Sequence, residues 1–125
     1  EDMAQTARLE KKLETCFGNR EFYEAHQIYR TLYYRLSSAG KFEELLQLID
    51  VGTTRFIEVK EYGSALDLAE LFGETLIKSQ APLSDHLVNT IERLFRDLPP
   101  ELPDDPPQKH GFDKRTKFSS LCVKW

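Results

Sequence analysis

A short motif recurs every twenty residues, and this period constrains the fold more than any other feature of the chain. Each copy has an aromatic residue, then Ala or Leu three positions on, then Ile or Leu six positions on; the copies begin at Phe22, Phe42 and Tyr62. Residues at i, i+3 and i+6 lie on one side of an α-helix. Because twenty residues hold one helix and one turn, the pattern predicts an all-α solenoid of stacked antiparallel helical hairpins, a tetratricopeptide-like architecture.

Size and composition exclude several classes of protein. The chain has 125 residues, of which 40% are apolar, so it can build the core of one domain or of part of one. The net charge of −4 argues against binding to nucleic acid, which usually needs a basic excess. No apolar run approaches the roughly 20 residues that span a bilayer, so we expect no membrane insertion. The two cysteines indicate reduced, intracellular thiols rather than a disulfide scaffold.

Hydrophobic periodicity and turn residues place the helices. Gly52 interrupts the third of them, which indicates close approach of a neighbouring helix. Ser64 is a good N-cap for the fourth, with Asp67 at the capping-box position. The predicted helices cover about 3–17, 20–39, 41–59, 64–78, 83–98 and 118–125.

The composition changes after the fifth predicted helix. Residues 99–111 include five prolines, which predicts a long loop within the domain. The last predicted helix carries Phe118, Leu121, Cys122 and Trp125 on one face and stops with that face unfinished. We therefore expect residues 1–125 to be the N-terminal part of one helical-repeat domain.

Sequence motifs for catalysis or metal binding are absent. The chain has no phosphate-binding glycine loop, no Gly-x-Ser-x-Gly and no His-Glu-x-x-His. The histidines His26, His86 and His110 and the cysteines Cys16 and Cys122 show no metal-ligand spacing. We expect no enzyme activity, no cofactor and no metal, and we interpret Cys16 as a small core residue.

One row of polar and aromatic residues on the second predicted helix is a candidate binding surface. Tyr and Arg are common at interface hot spots because they combine contact area with directed polar groups. In the competing interpretation, the tyrosines complete the hydrophobic face and the arginine reaches to water. The row contains Tyr23, His26, Arg30, Tyr33 and Ser37.

Charged residues outside this row admit two interpretations as well. Arg8 and Lys12 could extend a basic patch, or they could be ordinary exposed residues. Asp67 could close the capping box with Ser64 and complement the helix dipole. An exposed capping acid could also pair with a partner's lysine.

The segment Glu21–Leu36 closely resembles the signature of the Golgi to ER traffic protein 4 family, through its Tyr-Glu-Ala-His-Gln core and the following Arg-Thr. The resemblance continues through 41–46 and 63–69 and extends to 121–125. The chain departs from the family pattern at Arg20–Phe22, where Gly-Asp-Tyr is usual, at the turn 37–40 and in the Pro-rich segment.

The resemblance implies a cytosolic, right-handed solenoid that acts as an adaptor in the delivery of tail-anchored membrane proteins to the ER. The N-terminal part of such adaptors binds the ATP-loaded dimer of the targeting ATPase and restrains hydrolysis. The C-terminal part binds a ubiquitin-like adaptor, at a site expected beyond Trp125. Carried over residue by residue, the ATPase-facing positions are Lys12, Tyr23, His26, Arg30 and Asp67.

An alternative function rests on the repeat alone. A generic tetratricopeptide-like module would bind an extended peptide in its concave groove. The nature of the ligand separates the two functions, since the first requires a folded, nucleotide-loaded dimer and the second an extended peptide.

Overall fold

The computed structural model describes residues 2–102 and 113–125, and these residues form six helices. Each predicted helix is confirmed, with ends shifted by up to two residues. The all-α class is likewise confirmed. The helices are α1 Asp2–Gly18, α2 Phe22–Ser38, α3 Phe42–Glu58, α4 Tyr62–Ser79, α5 Asp85–Asp97 and α6 Thr116–Lys124.

The twenty-residue period is visible in the backbone as a repeated helix ending. A residue in the left-handed region follows each of the first four helices, at Arg20, Gly40, Lys60 and Gln80. At the first turn, the amide of Arg20 donates to the Phe17 carbonyl and the next amide donates to that of Cys16. The same two bonds recur at the other three turns, which is the Schellman geometry. Because it reverses the chain in three residues, α2, α3 and α4 each begin on the aromatic residue of the motif.

The first two turns show where glycine is and is not used. Gly18 is the last residue of α1, and it is Arg20 that takes the left-handed conformation, with φ 59°. Gly40 does occupy the left-handed position of its turn, with φ 73°. Glycine adopts this conformation without the penalty that a Cβ imposes, so only the second turn follows the usual preference.

The helices form two layers. Along the chain, α1 packs on α2, α2 on α3 and α3 on α4. Helices two apart also touch, α3 with α5 in one layer and α2 with α4 and α4 with α6 in the other. The odd-numbered helices therefore run side by side in one layer and the even-numbered helices in the other, as stacked hairpins require.

Two glycines allow helices to approach closely. A Cβ built on Gly52 of α3 would lie 2.6 Å from the ring of Tyr29, and one on Gly73 of α4 would lie 2.8 Å from Leu121. The first confirms the predicted close approach at Gly52. The Tyr29 ring is packed edge-on against Phe56, 5.8 Å away between centroids, so it has little freedom to move aside.

The last two helices are attached by polar anchors as well as by packing. Arg93 of α5 donates to Asp50 at 2.5 Å, and Arg115 donates to the Phe95 carbonyl at 2.9 Å. Trp125 donates from Nε1 to the Ala81 carbonyl at 2.6 Å. Phe118 is buried on the predicted face of α6. Residues 103–111 of the predicted Pro-rich loop lie outside the described residues.

None of the helices in the described ranges has the length and hydropathy needed to cross a membrane.

We predict that Gly52→Ala lowers the free energy of unfolding by about 1 to 3 kcal/mol, because the new methyl group must displace the Tyr29 ring. Urea denaturation followed by circular dichroism measures the change. Gly63→Ala is the matched control, since nothing lies within 4 Å of its Cβ, and we expect it to be neutral or slightly stabilising. Equal stability of Gly52→Ala and wild type would contradict the close approach.

Candidate functional site

The Asp67 carboxylate is the centre of a polar cluster between α2 and α4. Arg30 donates from Nη1 to both carboxylate oxygens, at 2.8 and 2.7 Å. The His26 Nε2 lies 2.6 Å from Oδ2, and the opposite ring nitrogen lies 3.0 Å from the Ser64 hydroxyl. We call these four residues, Ser64, His26, Asp67 and Arg30, the Asp67 cluster.

Helical spacing and the layer structure explain why these side chains meet. His26 and Arg30 are four residues apart on α2, and Ser64 and Asp67 are three apart on α4, so each pair shares one face of its helix. The two helices are neighbours in the same layer. The cluster therefore follows from two local pairs that the stacking of hairpins brings together.

The cluster is half-buried. Burial strengthens the electrostatic interactions between its side chains, and the remaining exposure leaves them accessible to a partner. The side chains of His26, Arg30 and Asp67 are 19%, 33% and 29% exposed. Burial alone would raise the Asp67 pKa, but the hydrogen bonds from His26 and Arg30 outweigh it and hold that pKa below its ordinary value. The same contact with Asp67 raises the pKa of Arg30. Asp67 is accordingly a stable anion paired with a stable cation.

The capping role predicted for Ser64 and Asp67 is wrong. Helix α4 begins at Tyr62, its N-cap is Glu61, and no side chain caps it. Ser64 lies inside the first turn, where its hydroxyl contacts His26 instead. The sequence pattern misled because Ser followed by an acid three positions on fits both an N-cap and one face of a helix.

The residues of the row predicted on α2 lie in different environments. Tyr23 is 77% exposed and available to a partner. Tyr33 is buried, and its hydroxyl accepts from Lys78 at 2.9 Å, so it completes the hydrophobic face as the competing interpretation proposed. Arg30 neither reaches freely to water nor stands alone, because it binds Asp67. Ser37, at the end of the row, lies outside the cluster and is partly exposed.

Lys12 is not brought to the Asp67 cluster. It is exposed on α1 and makes no hydrogen bond or ion pair with any residue that the structure describes. Its charge acts locally on the Cys16 thiol, lowering a pKa that burial and the carboxylates of Glu24 and Glu21 raise. No contact among the described residues therefore joins Lys12 to the cluster.

Sequence reasoning missed two members of the site. Ser64 was assigned to a cap, and Tyr34, whose hydroxyl lies 3.4 Å from Arg30 Nη2, was not considered. The sequence signal that predicts contacts between α2 and α4 is the twenty-residue period. His26 and Asp67 are 41 residues apart and Arg30 and Asp67 are 37 apart, close to two repeats. Residues two repeats apart fall on neighbouring helices of one layer.

Ser64, His26 and Asp67 contain the groups of a hydrolytic triad, joined by hydrogen bonds. Because Nε2 faces the carboxylate, it is the donor of that contact, and in a neutral ring the opposite nitrogen, Nδ1, would accept from the Ser64 hydroxyl as a triad requires. In a triad the acid supports the positive charge that develops on the imidazole. Here the acid is already paired with Arg30, which weakens that support.

One group of potential metal ligands occurs in the described part of the chain. The ligand atoms of Cys16, Glu21 and Glu24 all lie within 4.8 Å of one another. Cys16 is 1% exposed, which confirms it as a core residue, and its raised pKa disfavours the thiolate that a metal would need. His110 lies outside the described residues.

The fold and the outward-facing cluster define a helical-repeat protein. The model of the family Golgi to ER traffic protein 4 matches residues 39–125. The chain is 36% identical over 118 residues to the Golgi to ER traffic protein 4 homolog of Gallus gallus, and 32% identical to that of Homo sapiens. Both matches cover 94% of this chain, and 35% and 33% of the relatives. The chain belongs to this family and spans about a third of the length of these relatives.

We predict that Asp67→Asn lowers the free energy of unfolding by about 1 to 3 kcal/mol at pH 7, because two cationic or hydrogen-bonding partners lose their anion. The ionised carboxylate contributes stability that is complete above its ordinary pKa of 3.8 and is lost as the pH falls through its lower folded-state value. The difference between variant and wild type should therefore be large at pH 7 and small at pH 2.

Denaturation at both pH values checks this result. Asp85→Asn is the control, since Asp85 is exposed in the first turn of α5, and we expect a change below about 0.5 kcal/mol. A loss that is the same at pH 7 and pH 2 would mean that the ion pair is not the cause.

Proposed function

We propose that this chain is the ATPase-docking part of a cytosolic adaptor that serves the delivery of tail-anchored membrane proteins to the ER. In this proposal it binds the ATP-loaded dimer of the targeting ATPase and regulates hydrolysis. The observation that carries the proposal is the half-exposed Asp67 cluster, which joins three of the five positions implied by the family resemblance. A ubiquitin-like adaptor would bind further along the longer protein.

The geometry of Arg30 supports a role in docking. One terminal nitrogen serves both carboxylate oxygens, so the guanidinium is not used as a two-pronged fork. Its second terminal nitrogen makes only a long contact of 3.4 Å with Tyr34, and Nε has no partner among the described residues. A carboxylate of the ATPase could occupy this unused edge while Asp67 holds the side chain in place.

Tyr23 adds contact area on the same helix. It is 77% exposed and lies three residues before His26, one turn from the cluster. A tyrosine ring beside a half-buried charge is a frequent composition for an interface hot spot. Lys12, on α1, would supply an additional rim charge that acts mainly on the rate of association.

Regulation of hydrolysis requires that the adaptor bind one state of the ATPase more tightly than the other. A ligand shifts a conformational equilibrium only by its differential affinity for the two states. The proposal therefore demands that affinity depend on ATP. It also demands sensitivity to salt, because partly exposed charges are screened by ions.

We predict that Arg30→Glu weakens binding to the ATP-loaded targeting ATPase at least about tenfold, since it replaces the docking cation with a second anion beside Asp67. Isothermal titration calorimetry with and without ATP, at two salt concentrations, measures the effect. Arg35→Glu is the matched control on the same helix, as Arg35 is exposed and its guanidinium donates, among the described side chains, to Gln5.

Circular dichroism of each variant separates a docking defect from unfolding. Unchanged affinity of folded Arg30→Glu would refute the assignment of the docking surface. Binding of an extended peptide, without binding of the dimer in either nucleotide state, would favour the generic tetratricopeptide-like module instead.

We also predict that the chain is not a serine hydrolase, although Ser64, His26 and Asp67 are hydrogen-bonded in series. Arg30 neutralises the acid, and Ser64 lies within a helical turn. A fluorophosphonate probe should leave the chain unlabelled under conditions that fully label a known serine hydrolase. Labelling that Ser64→Ala abolishes, while Ser84→Ala does not, would overturn this prediction.

A further inference from the structure

We infer that the groove between α1 and α3 is a second docking surface, which accepts a basic amphipathic helix of a partner protein. The groove has a volume of about 380 Å³ and is lined by residues of α1, α2 and α3. It shares no residue with the Asp67 cluster, which lies between α2 and α4.

The base of the groove is apolar. Leu13 of α1 and Tyr29 of α2 are buried beneath it, and Leu48 and Val51 of α3 form one wall. Val51 is 50% exposed, so a β-branched side chain stands in water where a neighbouring helix could cover it. Removal of such apolar area from water stabilises a complex, against the costs of association.

Both rims of the groove carry an acid that has no partner among the described residues. Glu10 projects from α1 and Glu44 from α3, and both are exposed. Burial raises the Tyr29 pKa at the base to about 12; Arg55 opposes that increase, and the carboxylates of Glu14 and Glu10 add to it.

Arg55 is the one basic residue that lines the groove, and its guanidinium is already paired with an acid. Arg55 donates from Nη1 to Glu14 at 2.7 Å and lies over the Phe17 ring at 3.9 Å. This pair joins α1 to α3 at one end of the groove. It leaves the two rim acids, Glu10 and Glu44, as the uncompensated charges, so the groove is net negative over an apolar base.

Two of the three basic residues of α1, Arg8 and Lys12, point away from the groove, and the exposed Lys11 lies between them and Glu14 on the helix surface. At about 100° per residue, Arg8 and Lys12 fall on the side of the helix opposite Glu10 and Glu14. The basic side of α1 belongs to the proposed ATPase surface, and the acidic side faces α3. The chain therefore segregates its charge on one helix, with a different sign on each flank of the buried stripe.

These features define the occupant. An apolar base between two acidic rims complements a helix with an apolar stripe that is flanked on both sides by Lys or Arg. The Glu14–Arg55 pair holds α1 beside α3, and the two helices form walls for a third helix, which is the helix-in-groove mode of recognition. The groove thus fits a basic amphipathic helix better than an acidic or uncharged one.

A pair of synthetic peptides tests the inference. The first is a helix of about 18 residues with leucines at i, i+3, i+4 and i+7 and lysines at the flanking positions; the second replaces every lysine with glutamate. Fluorescence anisotropy gives the affinity for the chain, and amide chemical shifts in nitrogen-15-labelled protein locate the site. We expect the lysine peptide to bind, to shift amides of residues 44–51 and 10–14, and to dissociate as salt is raised.

Charge reversal supplies the matched control. Glu10→Lys with Glu44→Lys should weaken binding of the lysine peptide at least tenfold. Glu43→Lys with Glu101→Lys makes the same change in net charge on exposed acids outside the groove and should leave affinity within about twofold. Val51→Ser should weaken binding without changing the dependence on salt.

Each remaining outcome overturns the inference. These are failure of the lysine peptide to bind, equal binding of the glutamate peptide, equal effects of the two double variants, and shifts confined to another surface such as α5 and α6. The test needs no ATPase, so its failure leaves the proposed docking at the Asp67 cluster intact, and loss of ATPase docking leaves this groove intact.

Discussion

The left-handed residue that ends each of the first four helices is the constraint on which the rest of this structure depends. It recurs at residues 20, 40, 60 and 80 and closes the same pair of backbone hydrogen bonds each time. Three of these residues are not glycine, so each accepts a conformational cost of about 1 kcal/mol or more. The turns after α1, α2 and α3 have the same length, so these helices and α4 are successively antiparallel and have 17 or 18 residues each. That regularity produces the two layers, in which each helix lies beside the helix two positions along the chain.

Side chains that meet across a layer are therefore about forty residues apart. His26 and Asp67 are separated by 41 residues, Glu14 and Arg55 by 41, and Asp50 and Arg93 by 43. Each of these contacts joins opposite charges or a hydrogen-bonding pair on neighbouring helices. The twenty-residue period predicts which residues face each other across a layer. The charges predict which of these facing pairs form a contact, so the two signals together predict more than either one alone.

The fold could be predicted from the sequence because the repeat and the hydrophobic stripes agree. Buried residues such as Leu32, Phe56 and Phe72 lie on the faces that periodicity assigned to them. Which residues form the site was harder to predict. Ser64 and Asp67 satisfy the spacing of a capping box, and only the true start of α4, at Tyr62, shows that their partners are on another helix. Helix ends depend on turn geometry, and here that geometry uses Arg20 and Lys60, which local preferences do not favour.

The distribution of charge on α1 connects the two surfaces. Leu9, Leu13 and Cys16 hold the helix on the core, and this stripe separates the basic flank with Lys12 from the acidic flank with Glu10 and Glu14. A partner surface of a single charge sign can complement only one of these two flanks. The Glu14–Arg55 ion pair holds the acidic flank of α1 beside α3, so the basic flank lies on the other side of the helix. An intramolecular contact on one side of α1 thus determines which charge a partner meets on the other.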